Sequence, residues 1–258
     1  LTSEQSDYFF GADKASRSIG AYPARVPNPN ITWETSEQLS GGFDAHFFSN
    51  KLEFNFDVYQ KITKDWLVEA PAPAIFGANP PYINGGEISN KGIEMALRWN
   101  EVRGDFSYGA SASLAYNKNE VVAINNEEGI IHGPSSVLSQ GTSEMFRAEV
   151  GYPIGYFWGY ETDGILQNQT DVDAWVGPNG QPYFDDAIPG DFRFVNQNGD
   201  SLINEDDKVM IGDPNPDFVF GFQFNAEYKG FYVQIAANGQ AGHQIAKSYR
   251  SFADSPKQ

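Results

Sequence analysis

The stretch NQNGDSLINEDD, residues 196–207, spaces its oxygen-bearing side chains in the manner of a calcium-binding loop. The candidate ligands are the side chains of Asn196, Asn198, Asp200 and Asp207, together with the backbone carbonyl of Leu202. Ca²⁺ takes about six to eight oxygen ligands, and short side chains at alternate positions curl around it. Calcium is therefore the one cofactor that the sequence suggests.

A turn without a bound ion is the alternative for the same stretch. Asn196 is neutral at the first position, Ser201 stands where the sharp turn favours glycine, and Asp207 has a shorter reach than glutamate. Asn and Asp side chains also bond to the backbone of their own turn, which would hold the loop closed without a cation. The sequence leaves both interpretations open.

A second candidate site is a run of aromatic residues between glycines, GYFWGYETDGIL at 155–166, followed by a further tryptophan. The residues concerned are Tyr156, Phe157, Trp158, Tyr160 and Trp175. Exposed aromatic rings stack on sugars or anchor a protein partner. The same rings would equally form a small core of their own or a girdle at a membrane interface, so a contact with substrate or partner is one of several predictions.

Other kinds of chemistry lack their residues in this chain. The 258 residues contain no cysteine, and the three histidines are far apart in the sequence. No motif for nucleotide binding or nucleophilic catalysis is present. A net charge of −17 argues against nucleic acid as a partner. We therefore predict a protein that is not an enzyme.

Strict alternation of apolar and polar residues is the main structural signal. In FVFGFQFNAEY, residues 218–228, phenylalanine occupies every second position at first, and such a period of two indicates a β-strand. The other alternating stretches are 52–58, 92–99, 106–116 and 231–238, with a less regular one at about 33–48. The chain is 40% hydrophobic with a mean hydropathy of −0.46. No run of about 18 apolar residues is present, so we expect no transmembrane helix.

The connections between these strands are unequal in length. Short turns are expected at 49–51, 100–104 and 229–230, whereas about 62–90, about 118–217 and 241 onwards are long. Alternating short and long connections are typical of outer-membrane barrels, whose outward residues meet lipid and whose inward residues line a wet lumen. The alternatives are a secreted, calcium-associated, glycan-binding β-sandwich and a surface adhesin.

Several longer stretches resemble the SusC/RagA-like family of TonB-dependent outer-membrane transporters from Bacteroidetes-type bacteria. The resembling stretches are residues 28–48, 51–67, 84–99, 151–167 and 189–222, in that order. The resemblance implies an all-β fold that is part of a large antiparallel transmembrane β-barrel, with short periplasmic turns and long extracellular loops. It also implies a location in the cell outer membrane, in contact with its lipid.

The same resemblance implies a function and partners. It implies energised import of a nutrient such as an oligosaccharide or a peptide, together with a SusD-like surface lipoprotein that covers the extracellular mouth. Residues 1–258 are then expected to be a fragment of one barrel domain, with the plug and the TonB box outside it and the TonB complex acting through those regions. The long loop at about 118–217 is expected to meet the lipoprotein.

Overall fold

The computed structural model describes residues 3–10, 16–70, 78–135, 137 and 143–247. These residues are mostly β-strand. The strands are β1 (Ser3–Phe10), β2 (Ser16–Pro23), β3 (Thr35–Phe47), β4 (Leu52–Lys64), β5 (Leu67–Glu69), β6 (Tyr82–Asn84), β7 (Gly86–Arg103), β8 (Phe106–Ile124), β9 (Ile130–His132), β10 (Phe146–Glu149), β11 (Tyr156–Tyr160), β12 (Thr162–Ile165), β13 (Phe192–Phe194), β14 (Lys208–Gly212), β15 (Phe218–Tyr228) and β16 (Phe231–Ala241). A short helix, α1 (Gln169–Ala174), and a 3₁₀ turn at Glu205–Asp207 complete the elements. Within the described part of the chain, no helix has the length and apolar character to cross a membrane.

The largest unit is a six-stranded antiparallel sheet with the strand order β3-β4-β7-β8-β15-β16, here called the wall sheet. Neighbours in the wall sheet are also neighbours in the chain order, apart from the small strands inserted between them. Three short turns join β3 to β4, β7 to β8 and β15 to β16 at one end of the sheet. In the last turn, Lys229 and Gly230 have φ angles of 48° and 86°. Positive φ angles at both residues are required in a two-residue hairpin turn whose twist matches that of the strands.

The strand registers sort the side chains of the wall sheet into two chemically different faces. One row across the six strands consists of Ala45, Phe54, Leu97, Ala112, Phe222 and Ala237. The adjacent row on the opposite face consists of His46, Glu53, Arg98, Ser111, Gln223 and Ala236. The alternation predicted from sequence is thus preserved across every strand pair.

The apolar face of the wall sheet is uncovered by the described residues. Phe222 is 48% exposed and Ile235 is 55% exposed, although both lie near the middle of their strands. A soluble sandwich would bury such side chains under a second sheet. An apolar face of this size that stays open is the arrangement of a sheet that meets lipid.

Aromatic rings gather at the end of the wall sheet that carries the short turns. The ring centroids of Phe48 and Trp99 are 6.1 Å apart, and Phe106 lies 5.6 Å from Tyr108 and 6.4 Å from Tyr228. Girdles of this kind mark the boundary between hydrocarbon and headgroups in membrane barrels.

Four strands of the wall sheet run further than the sequence predicted, since β4 continues to Lys64 and β16 to Ala241, and β7 and β8 are extended as well. Strand β15 covers the predicted 218–228, but β7 begins at Gly86 and β8 continues to Ile124. The apolar alternation ends at Tyr116, which is also where β15 stops pairing with β8. Beyond that point β8 pairs within the sheet with β7 alone, whereas β7 also keeps its pairing with β4 as far as Lys64. The connection that leads from β8 to β15, here called the long connection, therefore covers residues 125–217.

The two faces of the wall sheet should respond differently to an added charge. Phe222→Arg or Ile235→Arg should lower the free energy of unfolding by about 2–4 kcal/mol, because the guanidinium would face hydrocarbon near mid-strand. Unfolding titrations of the full-length protein folded into lipid vesicles measure this change.

Matched variants on the polar face serve as the control for this prediction. Gln223→Arg and Gln234→Arg occupy neighbouring positions on the same two strands and should cost much less. Equal losses for the two pairs would show that the faces are not distinguished by lipid.

Candidate functional site

The long connection folds into small sheets of its own. Strands β9, β10, β11 and β14 form a four-stranded sheet, and β12 pairs with β13 in a separate two-stranded sheet. Helix α1 lies between β12 and β13 in the chain. The long connection leaves β8 and returns to β15 at the end of the wall sheet opposite the short turns.

Backbone hydrogen bonds tie the long connection to the free edge of β8. The Val121 N–H donates to the carbonyl of Tyr152 at 2.8 Å, and the Gly151 N–H donates to the carbonyl of Val121 at 2.9 Å. The Ile154 N–H donates to Oδ1 of Asn119 at 2.8 Å. These bonds replace the pairing that β15 no longer supplies beyond Tyr116, which explains why β8 remains a strand there.

A small apolar core forms at the same place. Trp66, Ile88, Val121 and Ala148 are buried together. By strand alternation, Ile88 and Val121 lie on the same side of the sheet as the polar row that contains Arg98 and Ser111. The long connection is thereby anchored on the polar side of the wall sheet.

The aromatic run at 155–166 is divided between core and surface. The Tyr156 side chain is fully buried, and its hydroxyl donates a hydrogen bond to Glu149. Burial, and then this hydrogen bond, raise the pKa of Tyr156 well above its usual range, so the phenol stays neutral. Phe157 is also buried and packs 5.6 Å from the ring of Phe146. These two rings form the small core that was one of the alternatives, and they offer no surface to a ligand.

The remaining aromatic candidates are half-buried and carry cations on their faces or join a second cluster. The guanidinium of Arg147 lies 3.9 Å from the ring centroid of Trp158. The ammonium of Lys208 lies 5.2 Å from that of Tyr160. Trp175 packs elsewhere, with its ring 5.4 Å from Tyr183 and 5.6 Å from Phe184. The prediction of a contact with partner or substrate therefore concerns Trp158, Tyr160 and Trp175.

The acidic loop at 196–207 is held by its own hydrogen bonds. Oδ1 of Asn196 accepts from the Gly199 N–H, and Oδ1 of Asn198 accepts from the Asp200 N–H at 2.8 Å. Oδ1 of Asp200 accepts from the Leu202 N–H at 2.7 Å. These bonds are those of the self-contained turn considered from the sequence.

Asp207 is the residue that closes the acidic loop. Its carboxylate is fully buried and accepts hydrogen bonds from the Gln197 N–H and the Asn204 N–H, both at 2.8 Å. The Asn204 side chain accepts in turn from the Asp206 N–H at 2.7 Å, which caps the 3₁₀ turn. Among the described residues, no group of three His, Cys, Asp or Glu side chains is placed to hold a metal ion. A calcium ion at this loop stays a prediction.

A charged cluster around His132 was not predicted from sequence. The His132 ring nitrogens lie 2.8 Å from Glu144 and 3.1 Å from Glu128. Glu144 also accepts from Arg147 Nε at 2.8 Å. The hydrogen bond with Glu144 raises the pKa of His132. Glu128, four residues before His132, was the only local signal, because Glu144 is brought near by the pairing of β9 with β10.

A cavity of about 300 Å³ adjoins this cluster. Its lining combines the apolar side chains of Val68, Ile83, Ile124 and Ile131 with polar residues that include Glu128 and His132. Within the described part of the chain, it lies where the β5–β6 hairpin approaches the start of the long connection. The sequence pattern did not predict that these separate stretches would lie next to each other.

Comparison with known proteins identifies the family of this chain. Residues 3–193 match the family described as TonB dependent receptor-like, beta-barrel. The chain belongs to this family. Its members are β-barrels of the outer membrane, which confirms the predicted fold class and location. The six-stranded wall sheet is an open part of such a barrel, and it does not close on itself among the described residues.

Individual relatives agree with this assignment. TonB-dependent receptor P3 of Formosa agariphila is 32% identical over 221 residues, which cover 84% of this chain and 21% of that protein. TonB-dependent receptor SusC of Bacteroides thetaiotaomicron is 24% identical over 257 residues, which cover 97% of this chain and 23% of that protein. The chain therefore spans about a fifth to a quarter of the relatives it matches.

A solved structure shows the same fold. The RagAB peptide transporter superposes with a TM-score of 0.68 at 22% identity, over 93% of this chain and 24% of that one. Because family and fold agree, the alternative prediction of a β-sandwich is wrong. The apolar face of the wall sheet is uncovered because it contacts lipid.

The buried carboxylate of Asp207 should be needed for the order of the acidic loop. Asp207→Ala leaves two backbone N–H groups without acceptors, each costing about 1–3 kcal/mol. Hydrogen–deuterium exchange of the assembled full-length protein should become faster in peptides that cover residues 196–208.

The neighbouring Asp206 provides the control, because its side chain is exposed. Asp206→Asn should leave the exchange of this loop unchanged. Unchanged exchange in Asp207→Ala would contradict the turn. If added Ca²⁺ slows exchange and Asp200→Ala removes that effect, a cation shares in holding the loop.

The His132 cluster should make the pairing of β9 with β10 depend on pH. Because the folded pKa is raised, the stabilisation is fully present below the ordinary value of about 6.5 and is lost as pH rises through the folded pKa. Exchange in Ile130–Glu149, corrected for intrinsic rates, should therefore become faster above that range. His132→Gln should abolish this dependence, and His46→Gln, on the wall sheet, should not. A pH dependence that survives His132→Gln would contradict the assignment.

Proposed function

We propose that the protein imports a nutrient, such as an oligosaccharide or a peptide, across the outer membrane with energy supplied through the TonB complex. The family to which the chain belongs is one of receptors and transporters. The observation that carries the proposal is the division of the wall sheet into an apolar face and a polar face, with the folded long connection at one end. Transport of this kind involves no chemical conversion, so we propose no enzymatic activity.

The polar face of the wall sheet supports a water-filled interior. Its central rows carry charged and amide side chains, among them Glu53, Asp57, Glu94 and Arg98. An open depression of about 500 Å³ lies on this face, and its lining runs across the sheet from β4 to β16. Such side chains suit the lumen of a large barrel, because a small packed one would have to bury them.

We further propose that the long connection lies at the extracellular mouth and contacts a SusD-like surface lipoprotein. Ordering so many residues costs conformational entropy of about 1 kcal/mol or more for each residue. The four-stranded sheet and the core around Tyr156 account for part of this length. The segment between β12 and β13, residues 166–191, contains α1 and Trp175 and is here called the excursion. It leaves apolar side chains exposed to solvent. Ile188 is 60% exposed and Phe184 is 37% exposed.

This excursion is closed at its base by backbone hydrogen bonds. It begins and ends at one point, where the Leu166 N–H donates to the Asp191 carbonyl at 2.9 Å and the Gly190 N–H donates to the Leu166 carbonyl at 2.7 Å. Leu166 is buried beneath this closure. Beyond this base, the excursion contacts the neighbouring part of the chain through the packing of Phe184 on Phe194 and the hydrogen bond from Asn196 to the Tyr183 hydroxyl.

Replacing residues 168–187 by a two-residue Asn–Gly turn should weaken the partner contact. The full-length variant should still assemble and show heat-modifiable migration in gels, but recovery of its SusD-like lipoprotein on co-purification should fall several-fold. The matched control shortens the acidic loop, by deleting Asn198 and Gly199, which lie outside the excursion.

Full recovery of the lipoprotein with the shortened excursion would place the contact elsewhere. Failure of the barrel to assemble would show that the excursion is a folding core. Uptake of the nutrient that persists without TonB would contradict the transport proposal itself.

A further inference from the structure

The excursion between β12 and β13, proposed above as a partner contact, also carries an open groove. Its lining combines aromatic rings with two carboxylates: Trp175, Phe184, Phe192, Phe194, Asp186 and Asp191. We call it the aromatic groove. It has a volume of about 300 Å³. Phe192, at 58% exposure, leaves much of its ring open to solvent.

The aromatic groove is built on an ordered frame. The ring centroids of Trp175 and Phe184 are 5.6 Å apart, and those of Phe184 and Phe194 are 6.5 Å apart. Oδ2 of Asp191 accepts a hydrogen bond from the Ile188 N–H at 2.9 Å. One carboxylate is thus fixed at the rim, and the rings beneath it support one another.

Elsewhere in the structure, an aromatic ring next to a carboxylate repeatedly holds a cationic side chain. Outside the wall sheet, three cations of the described residues each lie over an aromatic ring and also pair with a carboxylate. They are Arg25 with Tyr82 and Glu69, Arg147 with Trp158 and Glu144, and Lys208 with Tyr160 and Glu205. The cation-to-centroid distances are 4.1, 3.9 and 5.2 Å, and the ion pairs measure 2.6, 2.8 and 2.7 Å. A cation between a ring and a carboxylate gains from the quadrupole of the ring and from the opposite charge.

The aromatic groove has the ring and the carboxylates of this arrangement and lacks the cation. Among the described residues, no Lys or Arg pairs with Asp186 or Asp191. The basic residues nearest in sequence are committed, because Arg193 pairs with Asp163 at 2.6 Å and Lys208 pairs with Glu205. Residues 185–217 hold nine Asp or Glu against these two bases, so the local charge is strongly negative.

We propose that the aromatic groove binds an organic cation, a guanidinium or primary ammonium group carried by the imported molecule. This rests on the proposed function, since the cation is taken to arrive on the nutrient. An anionic ligand would meet two carboxylates of its own sign. A neutral sugar would stack on the rings and donate hydroxyl hydrogen bonds to the carboxylates, but it would not neutralise their charge. Basic peptides and amino sugars are the two sources of the chemistry that satisfies both parts of the aromatic groove.

Two pairs of probes separate charge from shape and one source from the other. The peptide pair is Gly-Arg-Gly and Gly-citrulline-Gly, both with blocked termini. The sugar pair is the glucosamine trimer and the N-acetylglucosamine trimer. Binding of each probe to the full-length transporter in detergent is measured by calorimetry. In at least one pair, the cationic member should bind about tenfold or more tighter, and added salt should reduce that difference.

Variants of the aromatic groove assign the binding to it. The double change Asp186→Asn and Asp191→Asn keeps the shape, and it should weaken the cationic probe about tenfold and bring it level with its neutral counterpart. Trp175→Ala should also weaken the cationic probe. Asp185→Asn, an exposed neighbour outside the lining, should change nothing. Heat-modifiable migration of each variant confirms that the barrel has assembled.

Several results would overturn the proposal. These are equal affinities within both pairs, no binding of any probe, and affinities that the double change leaves intact. Each of them can be obtained in detergent without transport. If cationic probes bind as expected but uptake in cells does not require TonB, the aromatic groove stands and the proposed function fails.

Discussion

Alternation of side chains across six paired strands is the constraint on which the rest of the structure depends. Pairing from strand to strand satisfies the backbone of the wall sheet, so only the side chains decide what each face touches. The row through Phe54 and Phe222 is apolar, and the row through Glu53 and Gln223 is largely polar. A slip of one residue in any strand would mix the two faces, and the registers show no such slip along the transmembrane part.

A different constraint takes over where this alternation ends. Beyond Tyr116, the β8 edge loses β15 and is bonded instead to Gly151 and Tyr152 of the long connection. There the residues no longer have to match lipid, and apolar groups turn inward around Val121. The Arg147–Trp158 and Lys208–Tyr160 contacts, the buried carboxylate of Asp207 and the aromatic groove all occur in this part of the chain. In many proteins, binding residues lie on loops that a rigid scaffold of secondary structure holds in position.

The sequence predicted what depends on local alternation and missed what depends on distant stretches meeting. Strand β15 could be placed at 218–228, because lipid and water impose a period of two on its residues. The extension of β8 to Ile124 carried no such period, since backbone bonds to the long connection hold it. From the sequence, Tyr156 could be an exposed contact residue or part of a core, and only the packing distinguishes these two roles. The aromatic groove joins Trp175 to Phe192 across an excursion whose closure at Leu166 has no signature in the sequence.

Accessibility along β15 in lipid tests the account most directly. The 258 residues contain no cysteine, so single cysteines introduced at each position of 218–228 can carry a spin label without a local background. The account predicts a period of two in the spin relaxation, with oxygen dominant at Phe220, Phe222 and Phe224 and a water-soluble nickel complex dominant at Gly221 and Gln223. A profile without this period, or one with the two reagents exchanged, would contradict the claim that the wall sheet separates lipid from a water-filled interior.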